Sequence, residues 1–160
     1  MCRIKTARGP TVIKGNISEC KAFYGMTSHA HGVDADILDE EDIHESAKWL
    51  KGMALHLGCV VVCSGKIDVI TDGKEVYLIS NGCDMLSRIT GTGCMLNVAI
   101  ATFLASYSPF SACVKATCYY EVAAEKTECN GPGTFHMHFM DEIYKLSSFD
   151  ESLFKIEVLG

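Results

Sequence analysis

The segment Arg88–Cys94 reads R-I-T-G-T-G-C and runs straight into an apolar stretch. Two glycines flanking a hydroxyl residue let the backbone approach a ligand closely. The N–H groups of a first helical turn then point at whatever lies there. Those donors and the helix dipole favour an anion, most simply a phosphate, over Gly91, Thr92, Gly93 and Cys94. The same dipole favours the thiolate form of Cys94. A tight turn with a buried thiol satisfies the same pattern, so the segment alone leaves both readings open. A second group, Gly15-Asn16-Ile17-Ser18-Glu19, follows the β-branched run Thr11–Lys14. An amide and a carboxylate at i, i+3 share one face and suit hydrated Mg²⁺ near phosphates. An Asn turn with Glu19 favouring a helix N-terminus accounts for the same residues. Third, Ser64 ends the apolar run Cys59–Cys63, and α/β sheets bind ligands beyond the carboxyl ends of their strands.

Other chemistries find no support. No G-x-x-x-x-G-K-[ST] loop is present, which excludes a P-loop nucleotidase, and no G-x-S-x-G elbow, which disfavours an α/β-hydrolase. His136 and His138 are spaced by two and do not share a helical face, so they are poorly placed as a metal pair. The acidic stretch Asp34–Glu45 lacks EF-hand spacing and reads as a loop and helix start. The nine cysteines contain no C-x-x-C pair. Most are expected to behave as small buried hydrophobes in a reducing cytoplasm.

The elements that must position these residues follow from pattern. Thr11–Lys14 reads as a strand and Ile17–Tyr24 as a short helix closed by Gly25. A helix opening at Asp39 or Glu40 places Ile43, Ala47, Leu50, Ala54 and Leu57 on one face, with Gly58 just past its end. Cys59–Cys63 shows no alternation, as expected of a strand covered on both faces. Lys66–Thr71 and Lys74–Ile79 around Asp72-Gly73 predict a hairpin. The remainder reads as helices over Gly93–Tyr107, Ser111–Glu128 and Phe135–Leu146, the first of them a buried core helix. The fold class is α/β.

Composition sets the outer bounds. The chain has 160 residues, 48% hydrophobic and 21% charged, which suits one folded domain over 1–160 and excludes a disordered chain. A net charge of −6 argues against nucleic acid as the main partner. The longest apolar stretch is too short to span a membrane, and the basic N-terminus is followed by no long apolar region of a secretion signal. A cytoplasmic location is therefore expected.

Taken in order, the motifs resemble one family. They are K-G-N-I-S-E (Lys14–Glu19), G-V-D-A (Gly32–Ala35), S-G-K-I-D (Ser64–Asp68), T-D-G (Thr71–Gly73), N-G-C-D-M-L-S-R-I-T-G-T-G-C (Asn81–Cys94) and P-G-T-F (Pro132–Phe135), followed by Met140-Asp141 and Tyr144. The sequence is similar from about Pro10 onward to hydroxyethylthiazole kinase, a thiamine-salvage enzyme of the ribokinase-like superfamily. The resemblance implies a three-layer α/β/α sandwich. It implies transfer of the ATP γ-phosphoryl group to the primary hydroxyl of 4-methyl-5-(2-hydroxyethyl)thiazole, with Mg²⁺. Carried over by motif, Lys14 and Ser64 fall at ATP-binding positions, Gly91 at a thiazole-binding position, and Asn16 and Glu19 at the metal-associated N-x-x-E. Cys94 stands where most superfamily relatives have a basic aspartate.

The departures are specific. The family usually has arginine at the position of Lys14 and threonine at that of Ser64. Lysine keeps the charge but loses the bidentate phosphate contact, so weaker ATP binding is expected. Family chains also carry a large portion before the strand Thr11–Lys14, so the sequence reads as a C-terminal part of such a kinase. An unpaired edge on that strand would promote association. A homo-oligomer (a trimer by family) or a complementing N-terminal segment is expected. The alternatives are a non-catalytic or split fragment retaining only nucleotide binding, and a ribokinase-like kinase of another small alcohol.

Overall fold

The computed structural model describes residues 9–25, 43–145 and 150–160. The loop Gly32–Ala35 and the proposed helix start at Asp39 or Glu40 lie outside them. Two compact units emerge, one holding the chain up to Leu78 with Glu157–Gly160, the other Ile79–Ile156.

The first unit is built on a mixed five-stranded sheet, ordered β1 (Val12–Asn16), β2 (Val60–Ser64), β3 (Asp68–Thr71), β4 (Val76–Ile79) and β5 (Ile156–Leu159). Strands β1 and β2 run parallel, with Val12 opposite Val60 and Asn16 opposite Ser64, so their carboxyl ends coincide. Strand β3 runs antiparallel to β2. Helix α1 (Ile17–Tyr24) leaves β1 without a spacer and stops at Gly25, whose left-handed φ of +83° suits a residue with no Cβ. Helix α2 (Ile43–Leu57) buries Ala47, Leu50, Met53 and Ala54, the face its periodicity predicts. Gly58 then donates its N–H to the Ala54 carbonyl at 2.9 Å. These side chains and Cys20 of α1 pack with Val61, Cys63 and Val69 of the sheet. Burial of a Leu or Met there contributes about 1.5–3 kcal/mol each. The continuous apolar run of β2 is buried from Val60 to Cys63, as a strand covered on both faces must be.

The hairpin forms, but with a longer loop than an Asp-Gly pair requires. The Asp72 carboxylate accepts the N–H groups of Lys74 and Glu75, and Thr71 Oγ1 that of Gly73. Gly73 has φ +89°, and a Cβ there would lie 2.8 Å from the Leu55 backbone. Gly73→Ala is expected to cost about 1–3 kcal/mol, from strain and steric overlap together. That would lower Tm by several degrees in a calorimetric scan.

In the second unit, helices α3 (Thr92–Phe103), α4 (Pro109–Lys126) and α5 (Pro132–Tyr144) follow a short 3-10 turn, Asp84–Arg88. Helices α4 and α5 begin two or three residues earlier than the apolar pattern alone predicts, because proline opens each first turn without losing a hydrogen bond. Their core is aromatic: Phe135 stacks on Phe139 at 5.3 Å, and Tyr120 meets Phe139 edge-on at 4.9 Å. Asn81 ties the unit together. Its amide donates to the Glu125 carboxylate and the Leu153 carbonyl, while its carbonyl accepts the Lys155 N–H.

Two expectations fail. Helix α3 is not a buried core helix: only Leu96 and Ile100, one turn apart, are buried, and Val98 is 68% exposed. It also ends at Phe103, four residues short of Tyr107, with Pro109 opening the next helix. The C-terminal part is not wholly helical either, since β5 completes the sheet order. Its four residues, Ile156-Glu157-Val158-Leu159, are too few and too irregular in pattern to stand out as a strand. No helix among the described residues is long and apolar enough to cross a membrane.

Candidate active site

Four of the residues singled out in the sequence meet at the carboxyl ends of β1 and β2. Lys14 and Asn16 belong to β1 and Ser64 to β2, with Asn16 and Ser64 in register. The Ser64 hydroxyl lies 3.4 Å from the Gly15 carbonyl oxygen, so it is held toward β1. Glu19 enters one turn into α1, and here the local chemistry is explicit. Asn16 Oδ1 accepts the Glu19 N–H at 2.8 Å, and Glu19 Oε2 accepts the Asn16 N–H at 2.8 Å. This reciprocal capping box satisfies two donors at the helix start. Gly15 is buried beneath it, where a Cβ would lie 3.0 Å from the Glu19 Cβ and 3.1 Å from its Oε2. K-G-N-I-S-E is thus a strand-to-helix turn in which glycine leaves room for the capping carboxylate.

The capping role accounts for the i, i+3 spacing and leaves further donor capacity. A carboxylate has two oxygens and an amide carbonyl two lone pairs, and the cap uses one of each. Asn16 and Glu19 are both exposed. One amide oxygen and one carboxylate oxygen at an exposed turn fit Mg²⁺, which keeps several waters and takes phosphate oxygens for the rest. Three acidic, histidine or cysteine groups clustered as a protein-only metal cage do not occur among the described residues.

Beside this turn lies Asp68, the last residue of S-G-K-I-D, for which sequence assigns no role. It is 4% exposed, and its Oδ1 accepts the Gly65 N–H at 2.9 Å. Burial pushes its carboxyl pKa up to about 6, opposed by the Gly65 hydrogen bond and the Lys14 charge. Beneath α1, the Cys63 thiol hydrogen-bonds Cys20 and holds the Cys20 pKa below the usual thiol range despite its burial.

The second unit gathers Gly91, Thr92, Gly93 and Cys94 at the start of α3. Gly91 is the N-cap, with φ +100°, and brings no side chain to cap the turn. Its carbonyl takes the first helical bond, from Met95 at 2.9 Å. Thr92 turns its hydroxyl back to the Leu86 and Ile89 carbonyls, at 2.9 and 3.3 Å. The Tyr120 hydroxyl donates to the Thr92 carbonyl at 2.8 Å, and burial keeps that phenol protonated well above its ordinary pKa. The helix start is therefore fixed from both sides. Cys94 is exposed. The tight-turn reading with a buried thiol is wrong in its second half, because only Leu96 and Ile100 of this helix enter the core.

Gly82, next to the Asn81 clamp, has φ +111°, and a Cβ there would fall 2.2 Å from the Glu121 carboxylate. Phe135 of P-G-T-F belongs to the aromatic core, whereas Tyr144 is 90% exposed.

A mixed five-stranded sheet flanked by helices, with a glycine-opened helix start, defines an α/β fold of the ribokinase-like class. The profile of the hydroxyethylthiazole kinase family matches residues 2–148, and the chain belongs to that family. It is 39% identical over 142 residues to hydroxyethylthiazole kinase 2 of Clostridium botulinum, covering 86% of this chain and 54% of that protein. Over 154 residues it is 39% identical to hydroxyethylthiazole kinase of Pyrococcus furiosus, covering 94% of this chain and 57% of the relative. In structure it is similar to the hydroxyethylthiazole kinase protein of Pyrococcus horikoshii. The TM-score is 0.77 at 28% identity, over 93% of this chain and 55% of the other. The chain spans about half the length of the curated relatives it matches.

Proposed function

We propose that this chain serves ATP-dependent phosphorylation of 4-methyl-5-(2-hydroxyethyl)thiazole on its primary hydroxyl, in thiamine salvage in the cytoplasm. The observation that supports it most is the family match over residues 2–148, which takes in both motif clusters. In this reading Lys14 and Ser64 hold the nucleotide, and Gly91 contacts the thiazole. Asn16 and Glu19 hold Mg²⁺, which when bound supplies neutralising charge to the transferring phosphates. The acceptor oxygen bonds to the γ-phosphorus as the bond to the ADP oxygen breaks, and the hydroxyl proton passes to Cys94 Sγ. The Gly91–Cys94 N–H groups stabilise charge gathering on the transferred group. In a loose transition state the proton need not be far advanced, so sulfur suffices as acceptor. A coupled assay of ADP release across small primary alcohols tests the substrate: the thiazole alcohol should give the highest kcat/KM. A better turnover of an unrelated alcohol would move the chain to another ribokinase-like activity, and ATP binding without turnover would favour a nucleotide-binding fragment.

A homo-oligomer or a complementing segment completes the reading. Among the described residues β1 ends the sheet order, with β2 as its neighbour, and its Val12 and Ile13 are half-buried. Such an edge promotes pairing with another strand. Light scattering on the purified chain should therefore report a species larger than one chain; a monodisperse monomer would contradict the association.

A further inference from the structure

Building on that reading, we propose that Asp68 is a positioning residue for the nucleotide. It holds the Gly65 N–H, and through it the turn that presents Ser64 at the carboxyl end of β2.

The geometry leaves Asp68 little other purpose. A carboxylate at the first residue of β3, 4% exposed, costs desolvation free energy unless hydrogen bonds and charge offset it. Its reach back to the turn supplies the bond: Oδ1 accepts from Gly65 N at 2.9 Å, three residues earlier. Gly65 directly follows Ser64, so fixing its peptide fixes the Ser64 carbonyl and the backbone that carries the Ser64 side chain, whose hydroxyl reaches the Gly15 carbonyl. The antiparallel pair Cys63–Val69 is the last of the β2–β3 ladder before this turn, and on the other side the β1–β2 ladder stops at Ser64. The side chain of Asp68 orders the turn beyond them. Lys14 of β1, the other nucleotide-binding residue, acts on it electrostatically across β2 and favours ionised Asp68. One buried carboxylate thus bears on both nucleotide-binding positions, through the backbone after Ser64 and through the charge of Lys14.

The test uses the full chain and MgATP. Asp68→Ala should raise KM and Kd for MgATP about tenfold, as expected for losing a hydrogen bond to a charged group, with kcat and the thiazole KM changed less than threefold. Asp68→Asn retains an oxygen for the Gly65 N–H and should recover most of the affinity. The Gly65 amide resonance should shift as pH falls through about 6 in the wild type, where Asp68 gains its proton, and stay constant in Asp68→Asn. Equal MgATP affinity in wild type and Asp68→Ala would overturn the inference alone. So would Asp68→Asn binding as weakly as Asp68→Ala, or a Gly65 resonance insensitive to pH. Should Asp68→Ala fail to fold, the asparagine variant and the Gly65 resonance decide the matter. A wild-type chain that binds no MgATP would overturn the kinase reading itself, and this inference with it.

Discussion

Replacing Cys94 with alanine is expected to lower kcat for phosphoryl transfer by about 10²–10⁴-fold, the usual contribution of a positioned proton acceptor. Stability should hardly change. Cys94 is exposed at the start of α3, packs into no core, and gives way to the best helix former. Aspartate places a carboxylate acceptor at the same helix start, so Cys94→Asp should retain far more activity than Cys94→Ala. The Gly91–Cys94 N–H groups belong to the backbone and survive both substitutions, whereas a proton acceptor is lost only in Cys94→Ala. Steady-state kinetics with melting curves on the three proteins checks it. An unchanged rate in Cys94→Ala would remove the thiol from the mechanism and leave catalysis to positioning and charge stabilisation.

The second large effect concerns Glu19, which serves the helix cap and is assigned to the metal. Glu19→Gln separates the two roles. Glutamine also completes a capping box, so the hydrogen bond from the Asn16 N–H should persist and Tm should stay within about a degree. The lost charge should weaken Mg²⁺ affinity about 10–100-fold, read as a shift of the Mg²⁺ titration of activity to higher concentration. Glu19→Ala should show the same metal defect and lose the cap as well, at about 0.5–1.5 kcal/mol. If Glu19→Gln titrates with Mg²⁺ as the wild type does, Glu19 is a capping residue and the metal ligand lies elsewhere.

Much of the fold is legible in the sequence because each element near the turns carries its own punctuation. Gly25 and Gly58 close α1 and α2 where the apolar periodicity stops, and unbroken Cys59–Cys63 announces a strand covered on both faces. What sequence misses are features set by partners far along the chain. Strand β5 is four residues long and follows a 3-10 turn, so it becomes a strand only by pairing at the end of the sheet. The apolar run after Cys94 looks like core, yet composition cannot say that only the Leu96–Ile100 stripe is buried. At the site, the i, i+3 relation of Asn16 and Glu19 was visible as spacing, and the structure gives it a concrete first role as a cap. Asp68 was visible only as a letter in S-G-K-I-D. A buried aspartate three residues after a glycine turn is a signal that local hydrogen bonding provides, and it becomes readable once β2 and β3 are known to pair.

The most direct test of the central claim is the mass of the product. Purified chain, ATP, Mg²⁺ and hydroxyethylthiazole are incubated, and the thiazole is analysed by mass spectrometry beside a parallel reaction with Glu19→Gln. The account predicts a thiazole heavier by one phosphoryl group, formed by the wild type and much reduced in the variant at limiting Mg²⁺. Unmodified thiazole after prolonged incubation of a folded, ATP-binding wild-type chain would contradict it.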